Sequence, residues 1–253
     1  MKYEEINPVG GYPVMSTTAP ELVERLSWAK ESGKQTKLFF ANSNFIVQCR
    51  ALQDRMTDDS VVIVNDGIAM DLASLMVNGK RFHENLNGTD FVPYFLRRSS
   101  QPLRIFLLGG KPGVAARTAT YLKRHYDHEI VGICDGYGEM QRRHNLIQTM
   151  NAANADVIFV ALGNPMQEEW ILRHGDALHA SVVMGVGALF DFLCGQQARA
   201  PRWVRRMHME WLYRLCNEPQ RLLRRYTLDA VKFLLICLRS GRQSTTLSNA
   251  AWR

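Results

Sequence analysis

Short apolar runs, many of them rich in β-branched residues, alternate with longer stretches that carry helix signals along most of this chain. Several runs are apolar throughout, which is typical of strands buried on both faces of a parallel sheet. This alternation predicts an α/β fold, with a mostly parallel sheet and helices on both of its faces. We expect strands at residues 37–41, 61–65, 103–108, 130–134, 156–161 and 181–186, and helices at residues 19–32, 45–55, 112–126 and 142–154.

Polar and glycine-rich turns follow the predicted strands, and we call these turns together the polar rim. Ligands of open α/β sheets bind outside the carboxyl ends of the strands, so a site is expected among these turns. One such turn is ordinary, because loops between strands and helices favour Gly and Asn. Six of them predict a continuous surface that approaches a ligand closely. The six turns are residues 42–44, 66–67, 109–113, 135–137, 163–168 and 187–191.

Glycines open three of these turns. Gly109-Gly110 would let backbone N–H groups approach a phosphate or a ribose. The pair matches neither a G-x-G-x-x-G fingerprint nor a Walker loop, and a tight turn without a ligand explains it equally well. In the turns that begin at Gly163 and Gly187, Gln167 is a candidate contact to sugar or base, and Asp191 is either a cap or a ribose contact.

Two aspartates of the polar rim are candidates either for chemistry or for helix capping. Asp66 ends an apolar strand and precedes Gly67 and a predicted helix. It is therefore either an N-cap or a general base at the mouth of a pocket. Asp135 is ambiguous in a similar way, as a cap or as a ribose ligand. Tyr137, next to Gly136 in the same turn, is a candidate for stacking on a base.

Positive charge is concentrated at the end of the chain. Residues 199–253 contain 12 Lys/Arg and 3 Asp/Glu, a balance of +9, whereas residues 1–198 contain 19 and 21, a balance of −2. A segment of this kind needs an anionic partner, which is nucleic acid, an anionic membrane surface or the phosphates of a bound ligand. Apolar residues interleave with its basic ones, which is typical of an interfacial amphipathic helix or of a helix docked on the protein.

Composition argues against several classes of protein. The first eight residues show no apolar stretch typical of a signal peptide, and no segment approaches the ~18–20 apolar residues of a membrane-spanning helix. Five scattered cysteines favour a reducing cytoplasm and argue against zinc and disulfides. A nicotinamide-dependent oxidoreductase would carry G-x-G-x-x-G after its first strand. A nucleic-acid-binding module would leave the polar rim without a purpose.

No Asp-x-Asp pair follows a predicted strand. Metal-dependent nucleotide-sugar transferases commonly hold a divalent ion on the diphosphate with such carboxylates, so neither a metal nor another cofactor is expected. Arginines can stabilise departing phosphates instead, through paired hydrogen bonds. Arg214, Arg221 and Arg224 have helical spacing on either side of Pro219, and they are either such ligands or a solvated basic face.

The motifs, taken in order, resemble the WecG/TagA/CpsF family of bacterial glycosyltransferases. The resemblance covers residues 37–226, and its specificity comes from the order and spacing of motifs that are weak singly. They are Asn65-Asp66-Gly67, Gly88-Thr89-Asp90, Leu108-Gly109-Gly110, Asp135-Gly136-Tyr137, residues 162–168, residues 184–187 with Phe190-Asp191, and Arg199-Ala200-Pro201 with residues 210–215 and Glu218-Pro219.

This resemblance implies an inverting transferase that moves a sugar from a UDP-sugar to a polyprenyl-diphosphate-linked saccharide at the inner membrane face. It implies that Asp66 is the catalytic base, that Asn42 lies beside it, and that arginines matching Arg214, Arg221 and Arg224 bind the diphosphate. The other residues expected to contact UDP or the sugar are Thr89, Asp90, Gly109, Gly110, Asp135, Gly136, Tyr137, Gly163, Gln167, Gly187 and Asp191.

The resemblance also implies a division of the chain. We expect a Rossmann-like catalytic domain at residues 1–198 and a basic amphipathic helical appendage at 199–239 that completes the site and contacts the membrane. Residues 240–253 are expected to be disordered. The protein is expected in the cytoplasm, peripheral on the inner face of the cytoplasmic membrane, with no nucleic-acid partner; a homo-oligomer is compatible with the sequence.

Two positions depart from the family pattern. Asn85 stands where members often have Arg, and Phe40 where the residue is often small or polar, beside Asn42. Residues 84–91 resemble the exopolysaccharide glucosyltransferases of the xanthan type, which favours glucose as the transferred sugar. Transfer of N-acetylmannosamine or N-acetylmannosaminuronic acid is the alternative within the family. A nucleotide- or nucleic-acid-binding protein without catalysis is the alternative from another class.

Overall fold

The computed structural model describes residues 5–142, 144–197, 199–201, 204, 210–217, 219–220, 223 and 227–250 of the 253-residue chain. These residues contain an eight-stranded sheet in the order β1-β2-β4-β3-β8-β7-β5-β6. β1 pairs antiparallel with β2, and every other pair is parallel. The strands are β1 (Glu5–Val9), β2 (Tyr12–Ser16), β3 (Thr36–Ala41), β4 (Val61–Asn65), β5 (Arg104–Gly109), β6 (Glu129–Cys134), β7 (Val157–Ala161) and β8 (Val182–Gly185).

Helices cover both faces of this sheet, which confirms the expected α/β fold and is consistent with a Rossmann-like arrangement. They are α1 (Ala19–Ser32), α2 (Ser43–Gln48), α3 (Ile68–Asn78), α4 (Gly88–Arg98), α5 (Val114–His125), α6 (Glu139–Arg142), α7 (Leu146–Ala152), α8 (Met166–His174), α9 (Leu189–Leu193), α10 (Glu210–Asn217) and α11 (Leu228–Ala250).

Alternation along the buried strands divides the core into two layers. In β3, Leu38 and Phe40 belong to one layer, and Phe39 and Ala41 belong to the other. The first layer is completed by α1, α4, α5 and α9. The second layer is completed by α2, α3, α7, α8 and α11. Both faces of the central strands are therefore buried, which is why their sequences are apolar throughout.

The structure confirms the six predicted strands to within about one residue at most ends, and it adds two elements. The hairpin β1–β2 was not expected. Its Gly10-Gly11 pair is the sequence signal that could have indicated it, because tight hairpin turns require positive φ and both glycines have it. Helix α4 was not expected because it begins at Gly88 and contains Pro93, which both disfavour helices. The side chain of Asn87 caps it by accepting the N–H of Asp90 at 2.9 Å.

Two predicted helices differ from the observed ones. The helix expected at residues 142–154 is shorter, as α7 at Leu146–Ala152. The helix expected at residues 45–55 divides into α2 and a 3-10 helix at Arg50–Thr57. Arg50 and Gln53 of the 3-10 helix donate to the carbonyls of Gly10 and Gly11 in the hairpin turn, at 3.2 and 2.9 Å. Helix α11 has the bounds Leu228–Ala250, and the disorder expected at residues 240–253 stays a prediction.

Helix α11 is docked on the second layer of the core. Phe233 and Cys237 are buried there, among residues of α2, α3 and β1. One side of α11 is therefore docked on the protein, as the second of the two alternatives predicted. On its other side, Leu234 and Leu235 are about half exposed. Within the described residues, no helix combines the length and the apolar composition needed to cross a bilayer.

Phe233→Ala should lower the free energy of unfolding by about 3–5 kcal/mol, because it removes a buried aromatic side chain and leaves a cavity. Leu235→Ala is the matched control on the same helix, and it should cost about 1 kcal/mol or less, since that side chain is half exposed. Urea unfolding followed by circular dichroism measures both losses. Equal losses would contradict docking through Phe233.

Candidate active site at the carboxyl edge of the sheet

The turns that follow β3 to β8 lie at one edge of the sheet, because these strands are parallel. The neighbouring strands β3 and β8 continue into helices of opposite layers, α2 and α9. When adjacent connections leave an open sheet in opposite directions, a crevice forms between the strand ends. Asn42 follows β3, Asp66 follows the adjacent β4, and Gly187 follows β8, so these residues flank that crevice.

Asn42 connects the start of α2 to Asp66. Its side-chain oxygen accepts the N–H groups of Asn44 and Phe45, both at 3.1 Å, and so caps the helix. Because the oxygen is used in this way, the amide nitrogen of the same side chain points the other way. It donates to Oδ2 of Asp66 at 3.0 Å. Asp66 is half-buried, so its carboxylate has a defined position at the crevice.

The turn after Asp66 is held by Asn85. Its side-chain oxygen accepts the N–H of Gly67 at 2.7 Å, and Gly67 has a φ of 96°, which favours glycine. The neighbouring Glu84 accepts the N–H of Ala19 at 2.8 Å, at the start of α1. The side chain of Asn85 thus holds the backbone next to Asp66. The sequence comparison, which marked Asn85 only as a departure from the family pattern, did not indicate this role.

The ring of Phe40 is buried in the first core layer. It packs against Phe91, with 5.9 Å between ring centroids, and a Cβ on Gly88 would come within 3.1 Å of it. A Cβ at Gly88 would therefore press on this ring at the start of α4. Thr89 and Asp90 follow in the first turn, and Asp90 forms an ion pair with Arg199 at 2.5 Å. This ion pair fastens the Arg199-Ala200-Pro201 segment to α4.

The Gly109-Gly110 turn is required by close packing of two strands. A Cβ on Gly109 would lie 2.3 Å from the carbonyl oxygen of Ala161, and Gly109 has a φ of 118°. The N–H of Gly110 donates to that same oxygen at 2.9 Å, and the carbonyl of Gly110 accepts from Gly136 at 3.0 Å. These groups are used within the protein, which favours the tight-turn alternative over a phosphate loop at this pair.

Asp135 caps the short helix α6. One of its oxygens, Oδ1, accepts N–H groups from Gly138 at 2.8 Å, Tyr137 at 3.0 Å and Glu139 at 3.1 Å. The bonds from Gly138 and Glu139 hold the pKa of Asp135 below its ordinary value, so the carboxylate is charged. The ring of Tyr137 is 57% exposed beside it. Asp135 is therefore a helix cap, as the capping alternative predicted. The aromatic ring of Tyr137 faces solvent.

A chain of amide side chains joins three turns of the polar rim through the buried Glu168. Oε1 of Glu168 accepts from Asn164 at 2.6 Å and from Gln167 at 2.7 Å. Gln167 in turn accepts the N–H of Gly187 at 2.9 Å, and Asn164 accepts from Asn44 at 3.3 Å. The turns after β3, β7 and β8 are thereby linked. Sequence patterns assigned Asn44 and Asn164 no separate role, and assigned Glu168 only that of an acidic residue at a helix start, because their importance depends on which turns become neighbours.

Several expected site residues lie apart from this network or outside the described structure. Gly163 begins the turn before α8, and Asp191 lies in the first turn of α9, where its carbonyl accepts from Gln197 at 3.0 Å. Arg214 lies in α10, whereas Arg221 and Arg224 fall outside the described residues. In the described part of the chain, no three His, Cys, Asp or Glu side chains come together as a metal site would require.

The sequence model described as the glycosyl transferase WecG/TagA/CpsF family matches residues 7–246, nearly the whole chain. This chain belongs to the WecG/TagA/CpsF family of glycosyltransferases. The match extends beyond the resemblance seen from the motifs alone, since it includes the β1–β2 hairpin and most of α11. It therefore places the docked helix α11 within the family's own sequence.

A glycosyltransferase of this family needs a group that can accept a proton from the acceptor hydroxyl. Transfer of a sugar to a hydroxyl releases a proton, and a positioned carboxylate is a suitable base for it. Asp66 is such a carboxylate, and Asn42 and Asn85 fix it from two sides, through its side chain and through the turn that follows. Asp135 and Asp90 are engaged in capping and ion pairing instead.

Burial raises the pKa of Glu168, so the folded protein binds a proton there more tightly than the unfolded chain does. The stabilisation from the protonated carboxyl is complete below the unfolded pKa and is lost as the pH rises through the folded pKa. Glu168→Gln keeps an oxygen that accepts both amides and removes this buried charge. Relative to wild type, the variant should therefore gain stability as the pH rises from 4.5.

Urea unfolding at several pH values from about 4.5 to 8 measures this difference in stability. Glu169→Gln is the matched control, because the neighbouring Glu169 is more exposed and pairs with Arg173 at 2.6 Å. It should leave the pH dependence of unfolding close to that of wild type. If Glu168→Gln and wild type showed the same pH dependence of unfolding, burial would not penalise the ionised carboxylate of Glu168.

Proposed function

We propose that this protein is an inverting, metal-independent hexosyltransferase of exopolysaccharide biosynthesis. It would move a hexose, with glucose favoured, from a UDP-sugar to a polyprenyl-diphosphate-linked saccharide. The observation that carries the proposal is the Asn42–Asp66 pair at the β3/β8 crevice, in a chain of a glycosyltransferase family. The nature of donor and acceptor is supported by the motif resemblance of the sequence.

The proposed reaction is a single displacement. The acceptor hydroxyl oxygen forms a bond to the anomeric carbon while the bond from that carbon to the diphosphate oxygen breaks, and UDP leaves with the electron pair. Asp66 takes the hydroxyl proton as the new bond forms, which makes the oxygen a better nucleophile. The amide of Asn42 holds the carboxylate by Oδ2 and so fixes its orientation towards the acceptor.

The donor would extend along the polar rim from Tyr137 towards Asp66. Strands β3 and β6 are four strand spacings apart, about 19 Å at ~4.8 Å per spacing, which suits an extended nucleotide sugar. Tyr137 is exposed for stacking on the base. Gln167 lies between the two ends of the rim, where its fixed amide faces Gly187. The sugar would then lie at the crevice beside Asp66.

The leaving diphosphate would be stabilised by Arg214, Arg221 and Arg224. Guanidinium groups bind phosphate oxygens through paired hydrogen bonds and need no divalent ion. The ion pair between Arg199 and Asp90 fastens the start of the basic segment beside the crevice strands, which supports a return of this segment to the site. Glucose is favoured over N-acetylmannosamine by residues 84–91, and turnover with the two UDP-sugars compares them directly.

The protein would act at the inner face of the cytoplasmic membrane, where a lipid-linked acceptor resides. Helix α11 supports this location, because it is docked through one side and carries exposed leucines on the other. The balance of +9 in residues 199–253 suits anionic lipid headgroups. Contact would therefore be peripheral, through the basic end of the chain.

Asp66→Asn should lower kcat by about 10²–10⁴-fold, because it removes a positioned general base and keeps the shape of the side chain. UDP binding, measured by isothermal titration calorimetry, should be unchanged. The matched control is Asp59→Asn, an exposed carboxylate before the opposite end of the same strand, β4, which should retain full turnover. Near-normal turnover by Asp66→Asn would exclude Asp66 as the base.

Arg221→Ala should weaken the binding of UDP much more than that of UMP, because only UDP carries the diphosphate that this side chain would hold. Titration calorimetry with both nucleotides measures the difference. Turnover by the wild type should survive EDTA, which separates an arginine clamp from a metal site. Equal losses for UDP and UMP, or loss of turnover in EDTA, would contradict the clamp.

A further inference from the structure

Helix α3 is apolar on both of its sides, yet the described protein covers only one. Met70, Ala73 and Ser74 face the second core layer and are buried. On the opposite side, large apolar residues recur at the spacing of a single helical stripe and are 39–53% exposed. These exposed residues are Ile68, Leu72, Leu75 and Met76.

Helix α11 carries a similar outward stripe. Phe233 and Cys237 dock the helix, and the residues on its opposite side are 46–60% exposed. These exposed residues are Leu228, Val231, Leu234, Leu235 and Leu238. Helices α3 and α11 pack against each other. Both helices cover the second core layer, so their stripes, each about 12–15 Å long at 1.5 Å per residue, face away from the same side of the sheet. We call the two stripes together the two-helix face.

Charge decides what this two-helix face would contact. Lys232 and Arg239 lie along one flank of the α11 stripe, in a groove of about 670 Å³ between α2 and α11, where Asp229 pairs with Lys232 at 3.5 Å. They belong to the segment with a balance of +9. A second copy docked through the same face by two-fold symmetry would bring two such segments together, and their like charges repel. An anionic lipid surface offers both apolar depth and the opposite charge.

We propose that α3, together with α11, seats the protein on an anionic lipid bilayer through the two-helix face. This inference rests on the proposed function and extends it, because it adds a helix of the catalytic domain to the membrane contact. Helix α3 begins two residues after Asp66, and Ile68 opens its outward stripe. The candidate base would therefore be held close to the lipid surface, where a lipid-linked acceptor presents its sugar.

The test compares matched double substitutions on the two stripes. Leu72→Gln/Met76→Gln changes α3, and Leu234→Gln/Leu235→Gln changes α11; glutamine keeps the helix and removes apolar contact. Trp28→Gln is the control, since Trp28 is 39% exposed on α1 in the other layer. Co-sedimentation with vesicles of phosphatidylcholine and phosphatidylglycerol measures binding, circular dichroism checks folding, and analytical ultracentrifugation measures the oligomeric state.

Each double substitution should weaken vesicle binding by about tenfold or more, and Trp28→Gln should leave it unchanged. Turnover of a long-chain acceptor in vesicles should fall with binding, whereas turnover of a short-chain acceptor in solution should not. Loss of binding in the α11 variant alone would overturn the role of α3 and leave the proposed function intact. Wild-type protein that binds no vesicles, or a dimer that only the α3 variant dissociates, would overturn the inference; the reaction itself is tested separately by Asp66→Asn.

Discussion

Seven strands, β2 to β8, run in one direction, and the candidate active site depends on that alignment. Parallel pairing brings together turns that are more than a hundred residues apart in the chain, such as those at Asn42 and Asn164. Each turn alone is ordinary. Their shared edge is what allows one amide to meet one carboxylate at the β3/β8 crevice, between helices of opposite layers.

Amide side chains link the turns at this edge. In Asn42 and Gln167 the amide oxygen accepts one hydrogen bond or more, and the amide nitrogen donates another. Asn42 accepts from the start of α2 and donates to Asp66, while Gln167 accepts from Gly187 and donates to Glu168. An amide can do this because it carries an acceptor and a donor on one planar group. These bonds link the turns that follow β3, β4, β7 and β8 to one another.

The sequence predicted the strands well because burial on both faces leaves a simple apolar signal, as in residues 61–65. It also predicted that the polar turns would share one edge, as parallel strands require; that this edge holds the active site stays a prediction. It could not distinguish capping from catalysis for Asp66 and Asp135, because that depends on side-chain partners. Contacts show Asp135 engaged by three N–H groups and Asp66 held by an amide instead.

Roles that arise from packing left no signal in the sequence. Glu168 appears there as an ordinary acidic residue in the first turn of a helix, and only the packing of α8 under β8 makes it the centre of a buried network. Gly88 appears as a helix breaker, yet it lies against the ring of Phe40, where a Cβ would be in tight contact. The outward side of α3 was likewise invisible, because an apolar helix in an α/β chain is expected to be buried on every side.

The position of α11 connects the fold to the proposed location of the reaction. A helix attached only by a linker would leave the distance between the proposed membrane contact and the candidate base undefined. Phe233 and Cys237 instead fix α11 against α2 and α3, the helices that follow Asn42 and Asp66 directly. Any surface that engages the outward side of α11 therefore lies at a set distance from those two residues. Under the proposed function, docking through one side of α11 would hold its exposed other side in place against the membrane that carries a lipid-linked substrate.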